Sequence, residues 1–86
     1  MEKILYADDD TQIQEIVQEI LSKEGYEVLI AKDGQAALDL ARAHNPDLLI
    51  LDFLMPGLTG DQVCAGLKKE EQTRNIPIIM VTAYPS

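Results

Sequence analysis

Short, wholly apolar runs alternate along this chain with longer stretches in which apolar residues recur every three or four positions. The first run, Ile4-Leu5-Tyr6-Ala7, stops abruptly at Asp8-Asp9-Asp10. Ile13, Ile16, Val17, Ile20 and Leu21 follow at helical spacing, one stripe of an amphipathic helix. Thr11 and Gln14 have the spacing of a capping box at its start, and Gly25 stands where a glycine just past the end would close it.

Glu27 to Ala31 reads as a second strand, turning at Asp33-Gly34 with Asp33 as a helix N-cap. Ala36, Ala37, Leu40 and Ala41 form a narrow stripe of small residues that lets a helix sit close to a sheet, and Asn45-Pro46 stops it. Leu48-Leu49-Ile50-Leu51 ends in Asp52, and a strand apolar on both faces belongs in a parallel sheet covered on both sides. A loop runs from Phe53 to Thr59. Thr59 with Gln62 repeats the capping-box spacing, and Val63, Cys64 and Leu67 give a third helix its inner face. Lys68 to Asn75 is polar and reads as surface loop, and Ile76 to Val81 as a fourth strand ending at Thr82. The order β-α-β-α-β-α-β predicts an α/β fold with right-handed crossovers and a doubly wound parallel sheet.

Composition narrows the function classes. With 86 residues there is room for one domain at most. The net charge is −8 and no basic cluster exceeds Lys68-Lys69, so direct binding to nucleic acid or to an anionic membrane is not expected. One cysteine, Cys64, allows no internal disulfide and suits a reducing compartment. No signal-peptide pattern opens the chain and no apolar run nears the roughly 20 residues needed to span a bilayer, so a cytoplasmic protein is expected.

The acids carry the chemistry. Asp8 and Asp9 follow the first strand and Asp52 closes the third. Ligands of doubly wound sheets bind outside the carboxyl ends of the strands, where strand order reverses. In a flavodoxin-like order that point lies between strands one and three, so all three acids meet in one pocket. Three carboxylates repel each other and stay ionised comfortably only if a cation is present. All-oxygen ligands point to a hard ion, and Mg²⁺ fits best. A carboxylate beside Mg²⁺ can attack phosphorus and form an aspartyl phosphate. Thr82, at the end of the neighbouring strand, places a hydroxyl within reach of a phosphoryl oxygen. Asp10 reads instead as a helix cap, and His44 as a cation at a helix C-terminus.

Taken together, Asp8-Asp9, Leu49-Ile50-Leu51-Asp52, Met55-Pro56-Gly57 with Gly60, and Pro77 with Thr82-Ala83 resemble the receiver domain of two-component response regulators over the whole chain. The resemblance implies that Asp52 is the phosphoacceptor and that Asp9 binds Mg²⁺ directly, with Asp8 acting largely through water. It implies a further ligand in the backbone carbonyl of Leu54. Thr82 would hydrogen-bond the phosphoryl group and switch on activation, and Ala83 would leave room for that group. The implied function is phosphorelay signalling, with a sensor histidine kinase or phosphotransfer protein as donor. The chain would accept a phosphoryl group rather than turn over a substrate as an enzyme does.

A complete receiver has a fifth strand ending in a lysine that pairs with the phosphoryl group. Lys3, Lys23, Lys32, Lys68 and Lys69 all lie elsewhere in the pattern. Residues 1–86 are therefore expected to be a receiver truncated after the fourth strand, lacking the fifth strand and last helices. An apolar edge strand of that kind invites pairing, so a homodimer or domain swap is the expected consequence. Two other functions compete. A Mg²⁺-dependent phosphohydrolase usually carries a second Asp two residues after its nucleophile, where this chain has Leu54. A receiver-like interaction module that works without phosphorylation, or is defective in it, would self-associate through the fourth strand.

Overall fold

A computed structural model describes residues 2–53 and 55–81. Seven elements follow in order: β1 (Lys3–Ala7), α1 (Thr11–Lys23), β2 (Glu27–Ala31), α2 (Gly34–His44), β3 (Leu48–Asp52), α3 (Gly60–Lys68) and β4 (Ile78–Val81). The four strands form one parallel sheet in the order β2-β1-β3-β4. This is the expected doubly wound arrangement, with strand order reversing between β1 and β3.

Strand alternation sorts the residues into two layers. Leu5, Ala7, Ala31, Leu49 and Leu51 face α2 and α3 and are buried with Ala37, Leu38, Ala41, Val63 and Leu67. Ile4, Tyr6, Ile50 and Asp52 face the other way, towards α1. The α2–α3 side is the packed core. On the α1 side, Val17 and Leu21 are half-buried, but Ile13, Ile16 and Ile20 stay exposed. So do Ile79 and Val81 on the same side of β4. The α1 stripe read from the sequence is real, yet only part of it reaches the sheet.

Capping explains where the helices start and stop. Asp10 caps α1, its carboxylate accepting from the N–H groups of Gln12 and Ile13 at 2.9 and 3.2 Å. The expected Thr11–Gln14 capping box does not form: the cap is Asp10, and the Gln14 amide donates to the Asp8 carbonyl. Gly25, at φ +92°, closes α1 with the paired bonds Gly25 N to Ser22 O and Tyr26 N to Leu21 O. Asp33 caps α2, and Asn45 ends it in the left-handed conformation before Pro46. The Thr59–Gln62 capping box of α3 forms as expected.

Four details depart from the sequence reading. Leu38 belongs to the inner face of α2, where it packs on α3 beside Gly66. Cys64 is half-buried at the margin of α3's inner face, which is made by Val63 and Leu67. Lys68 still belongs to α3 and residues 69–75 are turns, but Thr73 is fully buried and donates to the Leu67 carbonyl at 2.7 Å, finishing α3. Ile76 is core rather than strand, since β4 begins only after Pro77.

Gly34 opens α2 against the loop that follows β3. A Cβ there would lie 2.6 Å from Leu58 Cβ, 2.8 Å from Leu58 O and 2.9 Å from Val63 Cγ2. One of these is backbone and cannot rotate away. Gly34→Ala is therefore expected to destabilise by about 1–3 kcal/mol, against the ~1 kcal/mol by which helix propensity alone favours alanine. A thermal melt decides the sign, and a stabilised variant would mean that the 55–59 loop yields.

Candidate functional site

The β1–β3 pairing sets the site. Ala7 lies opposite Leu51, so the next residues, Asp8 and Asp52, leave the sheet side by side at its carboxyl edge. Asp9 follows before Asp10 starts α1. Carboxylate oxygens of Asp8, Asp9 and Asp52 all lie within 4.8 Å of one another. Asp8 is buried, Asp52 half-buried and Asp9 exposed. With Tyr6, Asp10, Ile13 and Val81 they line a cavity of about 440 Å³.

Asp8 is held from both sides. Its Oδ1 accepts from the Asp10 N–H at 3.0 Å and its Oδ2 from the Tyr6 hydroxyl at 2.8 Å. Its own N–H donates to the Ala31 carbonyl at 3.1 Å, fixing it to β2. Burial first, then the bond to Asp8 and the negative field of Asp8, Asp52 and Asp10, push the Tyr6 phenol above its ordinary pKa. The phenol therefore stays protonated, and a donor, at every physiological pH.

A second cavity, of about 790 Å³, shares Asp9. Thr11, Gln14, Lys32, Asp33, Gln35 and the loop residues Pro56, Gly57 and Leu58 complete it. Gly57, at φ +79°, takes a left-handed conformation in the loop that follows β3. Lys32 thus lies around the corner from the acid cluster, in a different cavity.

The donor set suits a hard cation, since it consists of carboxylate oxygens with no sulfur or imidazole among them. Asp8, Asp9 and Asp52 are the acids expected from the sequence, and the fold brings them together. Leu54, Thr82 and Ala83, the other expected site residues, lie outside the described residues. Tyr6 was read only as part of an apolar run. Its signal was strand parity, which places residue 6 on the face of residue 8.

Comparison with known proteins agrees with this geometry. The family model described as the response regulator receiver domain matches residues 4–86. A probable transcriptional regulator, ycf27, of Galdieria sulphuraria is 49 % identical over 82 residues, covering 95 % of this chain and 31 % of that protein. The polar-differentiation response regulator DivK of Brucella ovis is 36 % identical, covering 94 % of this chain and 66 % of its own. The crystal structure of the chemotaxis response regulator CheY4 of Vibrio cholerae superposes with a TM-score of 0.93 at 36 % identity, over all of this chain and 72 % of that one. The chain spans about a third of the length of the first curated relatives it matches. No described helix is long and apolar enough to cross a membrane. With its parallel β2-β1-β3-β4 sheet, its acids at the β1 and β3 ends and these relatives, the chain belongs to the response regulator receiver domain family.

Proposed function

We propose that this chain is a Mg²⁺-dependent phosphoryl acceptor in phosphorelay signalling, with Asp52 as the residue modified. The observation that carries the reading is the convergence of Asp8, Asp9 and Asp52 within 4.8 Å at the switch point of the sheet. The donor is a phosphohistidine on a sensor histidine kinase or phosphotransfer protein. An Asp52 carboxylate oxygen attacks phosphorus, the P–N bond breaks, and the imidazole leaves with the electron pair and takes up a proton. Asp8, Asp9 and Asp52 would hold the ion, with the Leu54 carbonyl as a further ligand. Bound Mg²⁺ supplies neutralisation of the charge on the transferred oxygens. Thr82 would hydrogen-bond the phosphoryl group and Ala83 leave space for it. The outcome is a changed partner surface, not turnover of a substrate, and the setting is the cytoplasm.

Exposed Ile79 and Val81 favour a second reading, in which the chain associates with itself through β4 whether or not it is phosphorylated. Equal self-affinity before and after modification would support that one.

Intact mass after incubation with acetyl phosphate tests the first reading. A phosphoryl-sized gain is expected with Mg²⁺ and is expected to vanish with a chelator. An equal gain with the metal removed would exclude a metal-dependent step, and no gain under either condition would sink the reading.

A further inference from the structure

Within β1, Ile4 and Tyr6 point to the α1 face of the sheet, directly before the acids. Tyr6 is only 7 % exposed, and a phenol buried so deeply needs a partner for its hydroxyl. That partner is Asp8 Oδ2, at 2.8 Å. The other oxygen, Oδ1, is engaged by the Asp10 N–H at 3.0 Å. Both oxygens of Asp8 are thus tethered. A carboxylate has about four lone-pair sites, so each oxygen keeps one for an ion or for water bound to it.

Asp8 needs such tethers. Carboxylates of Asp9 and Asp52 stand within 4.8 Å, and their repulsion would turn a free Asp8 side chain away from the cluster. The short backbone link to Asp10 fixes one oxygen. Tyr6 fixes the second from inside the sheet, on a strand whose neighbours on both sides are paired. A leucine or valine at position 6 would fill the same space and leave that oxygen without its donor.

We infer that Tyr6 is a positioning residue for the metal site, acting through Asp8; the inference rests on the reading of the acid cluster as a Mg²⁺ site. Outer partners that orient ligating side chains typically matter by about tenfold or more in metal affinity. The hydroxyl is engaged with Asp8 Oδ2 and would act through that carboxylate. It sets where Asp8 stands when the ion arrives.

The test is a calorimetric Mg²⁺ titration of the wild type, Tyr6→Phe, Asp8→Asn and the double variant. Tyr6→Phe keeps the ring and is expected to raise Kd roughly tenfold, with no further loss when added to Asp8→Asn. An unchanged Kd in Tyr6→Phe, or an equal loss in the Asp8→Asn background, overturns the inference. A wild type that takes up no Mg²⁺ overturns the parent reading, and this one with it. Wild-type binding with an indifferent Tyr6→Phe overturns this one alone. A second measurement leaves Tyr6 in place. In a Tyr26→Phe, Tyr84→Phe variant, whose one remaining tyrosine is Tyr6, saturating Mg²⁺ is expected to change the near-UV tyrosine signal. A flat signal there also overturns it.

Discussion

Asp52→Asn is expected to abolish the phosphoryl-sized mass gain while leaving the fold intact. An amide has the shape of a carboxylate but lacks the anionic oxygen that attacks phosphorus, so the chemistry goes and the packing stays. A second effect has the opposite sign. Asp52 stands within 4.8 Å of Asp8 and Asp9, and two like charges at that distance repel by about 1 kcal/mol even in a water-like surrounding. Removing one charge relieves two such pairs. The variant should therefore melt higher than the wild type in metal-free buffer and gain less from added Mg²⁺. Intact mass and a melting series with and without the ion read both effects. A mass gain that persists in Asp52→Asn would move the modification to another residue. A lower metal-free melting point would show that the carboxylate's own hydrogen bonds outweigh its repulsion.

Leu49→Ala is expected to cost about 3–4 kcal/mol, and to lower the melting temperature by roughly 15–25 °C in a domain of this size. Leu49 is fully buried and sits at the centre of the sheet, opposite Leu5 on one side and Ile78 on the other. Its neighbours are held by strand pairing and cannot close over the lost volume. Total stabilities of small domains are only ~5–15 kcal/mol, so this single cavity consumes a large part. Ile79→Ala, one pair along the same ladder, provides the contrast. Ile79 is 51 % exposed on the α1 side, and its truncation should change stability by about 0.5 kcal/mol at most. A drop at Ile79 as large as that at Leu49 would mean that something covers the α1 side of β4 in solution.

Period and placement made much of this molecule readable beforehand. The apolar runs ending in acids at Asp8 and Asp52 announced two neighbouring strand ends, and sheet topology did the rest. Local chemistry also worked where only one partner was available, as for Asp33, Gly25 and the Thr59–Gln62 box. It failed where two partners competed. Asp10 and Thr11 were both eligible caps; Asp10 caps α1 as read, whereas the Thr11–Gln14 box does not form and the Gln14 amide donates to the Asp8 carbonyl. Thr73 looked like surface in a polar segment, yet it is buried and its hydroxyl donates to the Leu67 carbonyl, a bond that no apolar periodicity announces. Tyr6 was hidden for a related reason. An aromatic in an apolar run satisfies the hydrophobic pattern so well that its hydroxyl goes unnoticed until the strand's parity is laid beside Asp8. Similarly, periodicity identified the α1 stripe but not how much of it the sheet would cover.

The sequence of β4, Ile78-Ile79-Met80-Val81, is apolar at every position. A strand with one polar face resists slipping by a residue, because the slip would drive polar groups into the core. β4 lacks that safeguard, since a slip would exchange one aliphatic set for another. Its register must be read from shape instead. Gly60 provides the notch: a Cβ there would stand 2.6 Å from Met80 Sδ and 3.1 Å from Phe53 Cα. The flexible Met80 thioether, turned towards α3, fills that gap. The bare face of Gly60 thus leaves room for Met80 in the register that sets Val81 opposite Asp52, at the mouth of the acid cavity.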